Sequence, residues 1–184
     1  MEKKMKHKMI GIHEVGTFEV TSGKVEITDP CYSPESGIMV EGVKKGTYIS
    51  FVDVMDAGNW GARNALLYAI NKEYLEKNKL TTEELTLQNW EPQDDYFGVD
   101  SGQGGIFDVK NFPGGDDENF YDECCSITLN GIGAHTLDGG VVSSSGFGDG
   151  GYGYDIIKDE NGEIVAFCLI FIDEDAENDE EDEE

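Results

Sequence analysis

The chain has 184 residues, enough for one domain with its own core and too few for two large ones. It carries 13 Lys and Arg against 39 Asp and Glu, a formal net charge of -26. That balance argues against direct nucleic-acid binding and against an anionic membrane surface, since both need a basic face. Hydrophobic residues make up 38% of the chain, which is material for a real core, and the 24 glycines show no three-residue period, which excludes collagen.

Residues 1–12 read as a basic, flexible N-terminus. Four lysines lie in its first eight positions, and no apolar leader core or cleavage site follows them. Thr17–Val20 and Lys24–Ile27 alternate apolar and polar residues around Thr21-Ser22-Gly23, the pattern of a hairpin. Asp29-Pro30 stops the second strand, because proline lacks the donor that a ladder needs. Gly37–Val43 reads as a weak strand and Gly46–Met55 as a stronger one. Ala65–Ile70 fits a helix by composition and a buried strand by length. Asn71–Gln88 is the one expected helical region, with Thr81 and Glu84 spaced as a capping box. Trp60 and Trp90 are expected as partly buried packing residues.

The pattern then returns to β. Expected strands are Tyr96–Asp100, Gly105–Val109, Ser126–Leu129, Gly140–Ser145, Tyr152–Lys158 and Glu163–Ile172, with Phe112–Asn119 an exposed acidic loop. Asp159-Glu160-Asn161-Gly162 reads as a hairpin turn. Ile164–Ile172 is almost continuously apolar, so it is expected at the centre of a sheet covered on both faces. It is about half the roughly 20 residues that a membrane-spanning helix requires. Residues 174–184 form an acidic tail, expected to be disordered. The expected fold is mainly β: an antiparallel sandwich or strongly twisted sheet with one or two short helices, in a single domain over 13–173.

Candidate site residues fall in two groups. In Val141–Tyr152, the residues Ser144, Ser145, Gly146, Gly148, Asp149 and Gly150 could form an anion-binding nest of backbone donors, or a bulged hairpin. The loop lacks the Lys-Ser/Thr ending of a P-loop, and no serine has glycine two positions away on both sides. His135 has no recognisable partner spacing, so no catalytic residue is assigned. The second group is Asp29, Asp100, Asp108 and Asp149, at expected strand ends. If they converge they could hold a divalent cation through hard oxygen ligands, and if not they serve as Asx turns. Cys31, Cys124, Cys125 and Cys168 form no C-x-x-C pair and read as reduced thiols of a cytoplasmic protein.

Four segments, Ser22–Pro30, Gly46–Tyr48, Val99–Asp108 and Ser144–Tyr152, together with the final strand at Gly162–Phe167, occur in the order seen in domain-of-unknown-function family 4241. The chain resembles that family over about residues 16–173. The resemblance implies that Asp29, Asp100, Asp108 and Asp149 occupy recurring positions, and it implies no activity. The run Ser143–Ser145, the extra glycines and the high acidity depart from the family pattern. The expected function is therefore drawn from charge. It is a non-enzymatic acidic binding protein that engages a basic protein partner, as an inhibitor or immunity-type protein imitating nucleic-acid charge would. The alternative is a small-ligand or divalent-metal binding protein with hydrolytic potential, using the serine-glycine loop and the aspartates.

Overall fold

A computed structural model describes residues 10–173. In chain order its strands are β1 (Gly11–Val20), β2 (Val25–Thr28), β3 (Ile38–Val40), β4 (Gly46–Asp56), β5 (Ala62–Asn71) and β6 (Glu91–Pro92). They continue with β7 (Phe97–Val99), β8 (Gln103–Asp108), β9 (Ala134–Leu137), β10 (Gly140–Ser144), β11 (Gly150–Lys158) and β12 (Ile164–Ile170). The helices are α1 (Lys72–Lys77) and α2 (Glu118–Thr128), with 3-10 turns at Gly58–Trp60 and Thr82–Leu87. The large sheet runs β1-β4-β5-β12-β11-β6, with β7 also on β11, and the small sheet runs β3-β2-β8-β10-β9. All the ladders between these strands are antiparallel, so the mainly β sandwich with few short helices is what the chain forms.

The main core lies between the sheets. Val52, Leu67, Phe167 and Leu169 of the large sheet meet Val25, Ile27, Ile106 and Val141 of the small one. Each sheet also has a covered outer face. Leu75 of α1, Leu85 and Trp90 lie over Tyr68, Ile70 and Cys168. On the other side, Phe120, Cys124 and Ile127 of α2 pack on Phe107 and Val142. Two covered faces explain the continuous apolar runs. In β5, Leu67 and Ala69 face the main core while Tyr68 and Ile70 face outward into a second one. Ala65–Ile70 is therefore a strand, and β12 is central, flanked by β5 and β11.

Several expectations are corrected. β1 and β2 do not form a hairpin, because they belong to different sheets and the Thr21–Lys24 connection crosses between them. The ordered domain starts earlier than residue 13: β1 begins at Gly11, which pairs with Val54. A second helical region exists. Asp117 caps α2 by accepting from the Phe120 N–H at 3.1 Å, and Phe120, Cys124 and Ile127 recur at helical spacing on one face. Most of the expected strand Ser126–Leu129 is the last turn of that helix. Trp60 is 69% exposed and does not pack in a core. The acidic tail and residues 1–9 lie outside the described residues. No helix among the described residues is long and apolar enough to cross a membrane.

Candidate functional site

The four aspartates separate. Asp29 is buried at the end of β2 and accepts the N–H groups of Cys31 at 2.8 Å, Asp100 at 2.8 Å and Ser101 at 2.7 Å, and the Ser101 hydroxyl at 2.6 Å. It ties the β2 exit to the β7–β8 turn. Asp100 is exposed and accepts the Tyr32 hydroxyl. Asp108 sits at the other end of β8, about 17 Å along the strand from Gln103. It accepts from the N–H groups of Thr21 at 2.7 Å, Ser22 at 3.3 Å and Lys110 at 3.1 Å, from Thr21 Oγ1 at 3.1 Å, and from Ser22 Oγ. Burial pushes this carboxyl up, but the hydrogen bonds from Ser22, Thr21 and Lys110 outweigh it and hold it below the ordinary carboxylate value. Asp149 is exposed in the β10–β11 loop. Among the described residues no group of three His, Cys, Asp or Glu side chains is placed to hold a metal ion, so the four aspartates do not build one cation site.

The serine-glycine loop spends its donors on itself and its neighbours. The Ser144 N–H donates to Gly133 O at 2.8 Å and the Ser145 N–H to Gly102 O at 3.0 Å. Ser145 Oγ and the Tyr152 hydroxyl both donate to Gly148 O, at 2.8 and 2.5 Å, and the Gly148 N–H returns to Ser145 O at 3.1 Å. Gly146 adopts φ +62°, and a Cβ there would lie 2.8 Å from the Ile172 side chain. Gly150 pairs with Val99 on β7. These bonds close a knot at one end of the sandwich, with Asp29 and Asp100 on its other side. His135 lies exposed on the edge strand β9.

The topology sorts charge by pole. One end of the sandwich gathers the entries of β2, β4 and β12 and the exits of β5, β8 and β11, as the contacts Val109 to Lys24, Val43 to Gly23 and Lys44 to Ile164 show. All eight lysines of the described residues lie at this end or on α1 and the turn that follows it, among glutamates. Lys44 pairs with Glu73 at 3.6 Å and Lys77 with Glu160 at 3.5 Å. The opposite end carries Asp29, Asp53, Asp56, Asp100, Asp149 and Asp173, and Arg63 is the one cation of the described residues there. An exposed aromatic pair stands at this acidic pole. Trp60 is 69% and Phe147 is 52% exposed, and their rings meet edge to face at 6.4 Å.

Sequence reasoning missed a cleft of about 870 Å³ on the outer face of the large sheet, beside Trp90. Its floor consists of two cross-strand rows. Asp155, Cys168 and Tyr68 are register partners on β11, β12 and β5, and Gly153, Ile170, Leu66 and Asp53 form the next row, reaching β4. Trp90, Pro92, Tyr96 and Tyr152 line it as well, and Asp173 stands at its rim. Trp90 is held by an Nε1–H bond to Leu85 O at 2.7 Å and packs on Tyr68 at 5.7 Å. Burial, and then the Asp173 carboxylate, raise Asp155 above the ordinary carboxylate value. The signal that could have found the cleft was the alternation of β11, which puts Asp155 on the same face as an apolar row.

No family model matches the chain, and neither the curated proteins nor the solved structures contain a match to it.

Proposed function

We propose that this protein is a non-enzymatic binding protein whose acidic pole engages a basic protein partner. The observation that carries the reading is the segregation of charge: the lysines of the described residues gather at one pole among acidic partners, and the other pole carries six aspartates with Arg63 as its one Lys or Arg among the described residues. Described residues hold 9 Lys and Arg against 29 Asp and Glu, so the surplus does not reside in the tail alone. A field of one sign over one end steers an oppositely charged partner and speeds its association. Trp60 and Phe147 add exposed aromatic surface, the residue type that supplies most binding energy at interfaces. An inhibitor or immunity-type role, in which carboxylates stand in for the phosphates of a nucleic acid, fits this arrangement. The kinship with domain-of-unknown-function family 4241 is proposed on the same footing. Three of its segments, Ser22–Pro30, Val99–Asp108 and Ser144–Tyr152, are contiguous in space through β2, β8, β10 and β11.

Immobilised protein is expected to retain basic proteins from a lysate at about 50 mM salt and release them by about 300 mM, as the Debye length falls from about 14 Å to about 6 Å and the long-range attraction is screened. A lysate that yields no basic protein at low salt would overturn the reading.

A further inference from the structure

We infer that the cleft beside Trp90 receives an arginine side chain of the basic partner. The inference rests on the reading of the protein as a binder of basic partners and assigns that binding a site. The cleft is walled by flat rings and carries three carboxylates, Asp53, Asp155 and Asp173, and among the described residues no Lys, Arg or His lines it. A guanidinium is planar, stacks on aromatic faces and donates a fork of N–H groups to carboxylates, so one group satisfies both features of the lining. An ammonium would meet the rings and carboxylates only as a point cation, without planar stacking or a fork of donors. Geometry suits a long side chain. Asp53 and Asp155 lie on strands three spacings apart, about 14 Å across the sheet, with the apolar row of Leu66, Tyr68, Cys168 and Ile170 between them. An arginine side chain is shorter than that span, so its stem lies along the apolar residues and its head meets the carboxylates at one side, Asp155 with Asp173 beside it. The cleft shares Asp53 and Asp173 with the acidic pole, so it lies beside the face that steers a basic partner.

The test is titration of the full chain with heptaarginine and heptalysine peptides at about 50 mM salt, with a Trp60→Phe background so that Trp90 fluorescence reports the cleft. Heptaarginine is expected to perturb Trp90 and to bind about tenfold more tightly than heptalysine. Asp155→Asn is expected to weaken heptaarginine about tenfold, and Tyr96→Ala, at a position 73% exposed, about fivefold. Glu76→Gln, on exposed α1, should change affinity less than about twofold. Heptaarginine that binds Asp155→Asn and Tyr96→Ala as tightly as the parent would overturn the cleft and leave the basic-partner reading standing. Equal affinity for the two peptides would also overturn it. Release of the cleft by removal of residues 1–9, seen as a rise in affinity above about tenfold, would assign it to the chain's own lysines. A chain that binds neither peptide would sink both proposals.

Discussion

At the residue scale, the buried aspartates act as clasps. Asp108 fastens the Thr21–Ser22 crossover to the end of β8 and so joins the two sheets at the lysine pole. Asp108→Ala leaves those donors unpaired and is expected to cost about 2–4 kcal/mol, read as a lower denaturation midpoint. Its folded pKa lies below the unfolded one, so its contribution is complete at neutral pH. That contribution is lost as pH falls below the ordinary carboxylate range toward the folded pKa, and an acid titration of wild type against Asp108→Asn should converge there. Asp155 has the opposite sign. Its raised pKa means that ionisation costs the folded state more than the unfolded one, so stability falls as pH rises through that range. Asp155→Asn should therefore melt higher than wild type at pH 7 and by a smaller margin at pH 4. A side chain kept at a cost to stability is what a binding residue looks like. Burial pushes the thiols of Cys31 and Cys124 up to about 12, and it raises Cys168 well above the ordinary thiol value. Those three should react slowly with a thiol reagent at pH 8 in the native protein and fast in denaturant.

At the element scale, the strands were legible wherever one face alternates or a run is apolar on both faces. Gly46–Met55, Tyr152–Lys158 and Glu163–Ile172 are of this kind, and the turn between the last two has Gly162 at φ +81°, as a tight hairpin requires. What local pattern could not carry was pairing. Thr17–Val20 and Lys24–Ile27 read as partners because they are adjacent, but Asp108, more than 80 residues away, decides that the link between them crosses sheets. α2 was legible in principle from Asp117 and the spacing of Phe120, Cys124 and Ile127, and the acidic, glycine-rich stretch before it disguised its start. Gly16 sets another long-range constraint. It sits at a bulge with φ +123°, and a Cβ there would lie 2.2 Å from Thr136 Oγ1 on β9. Gly16→Ala should separate the β1 edge from β9 and lower stability by about 2–3 kcal/mol in a urea titration, whereas the same change on a helix surface raises stability.

At the scale of the whole molecule, net charge was readable at once and its distribution was not. Neighbouring positions such as Lys44 and Asp53 lie on one strand or its approach, and only the antiparallel topology brings the lysines of the described residues to one end or to α1 and its following turn. The aspartate positions were picked out by their glycine neighbours, but the structure uses Asp29 and Asp108 to hold loops and leaves Asp149 on the surface. The cleft was hidden for the same reason, since its rows are assembled from four strands. The account stands on the acidic pole as a coherent binding face. It is tested most directly by comparing two double variants that remove the same charge, Asp56→Asn with Asp149→Asn at the acidic pole and Glu76→Gln with Glu83→Gln near the lysines, for affinity to a core histone at about 100 mM salt. The account predicts a loss of about tenfold for the first pair and less than about twofold for the second. Equal losses would show that only total charge matters and would contradict it.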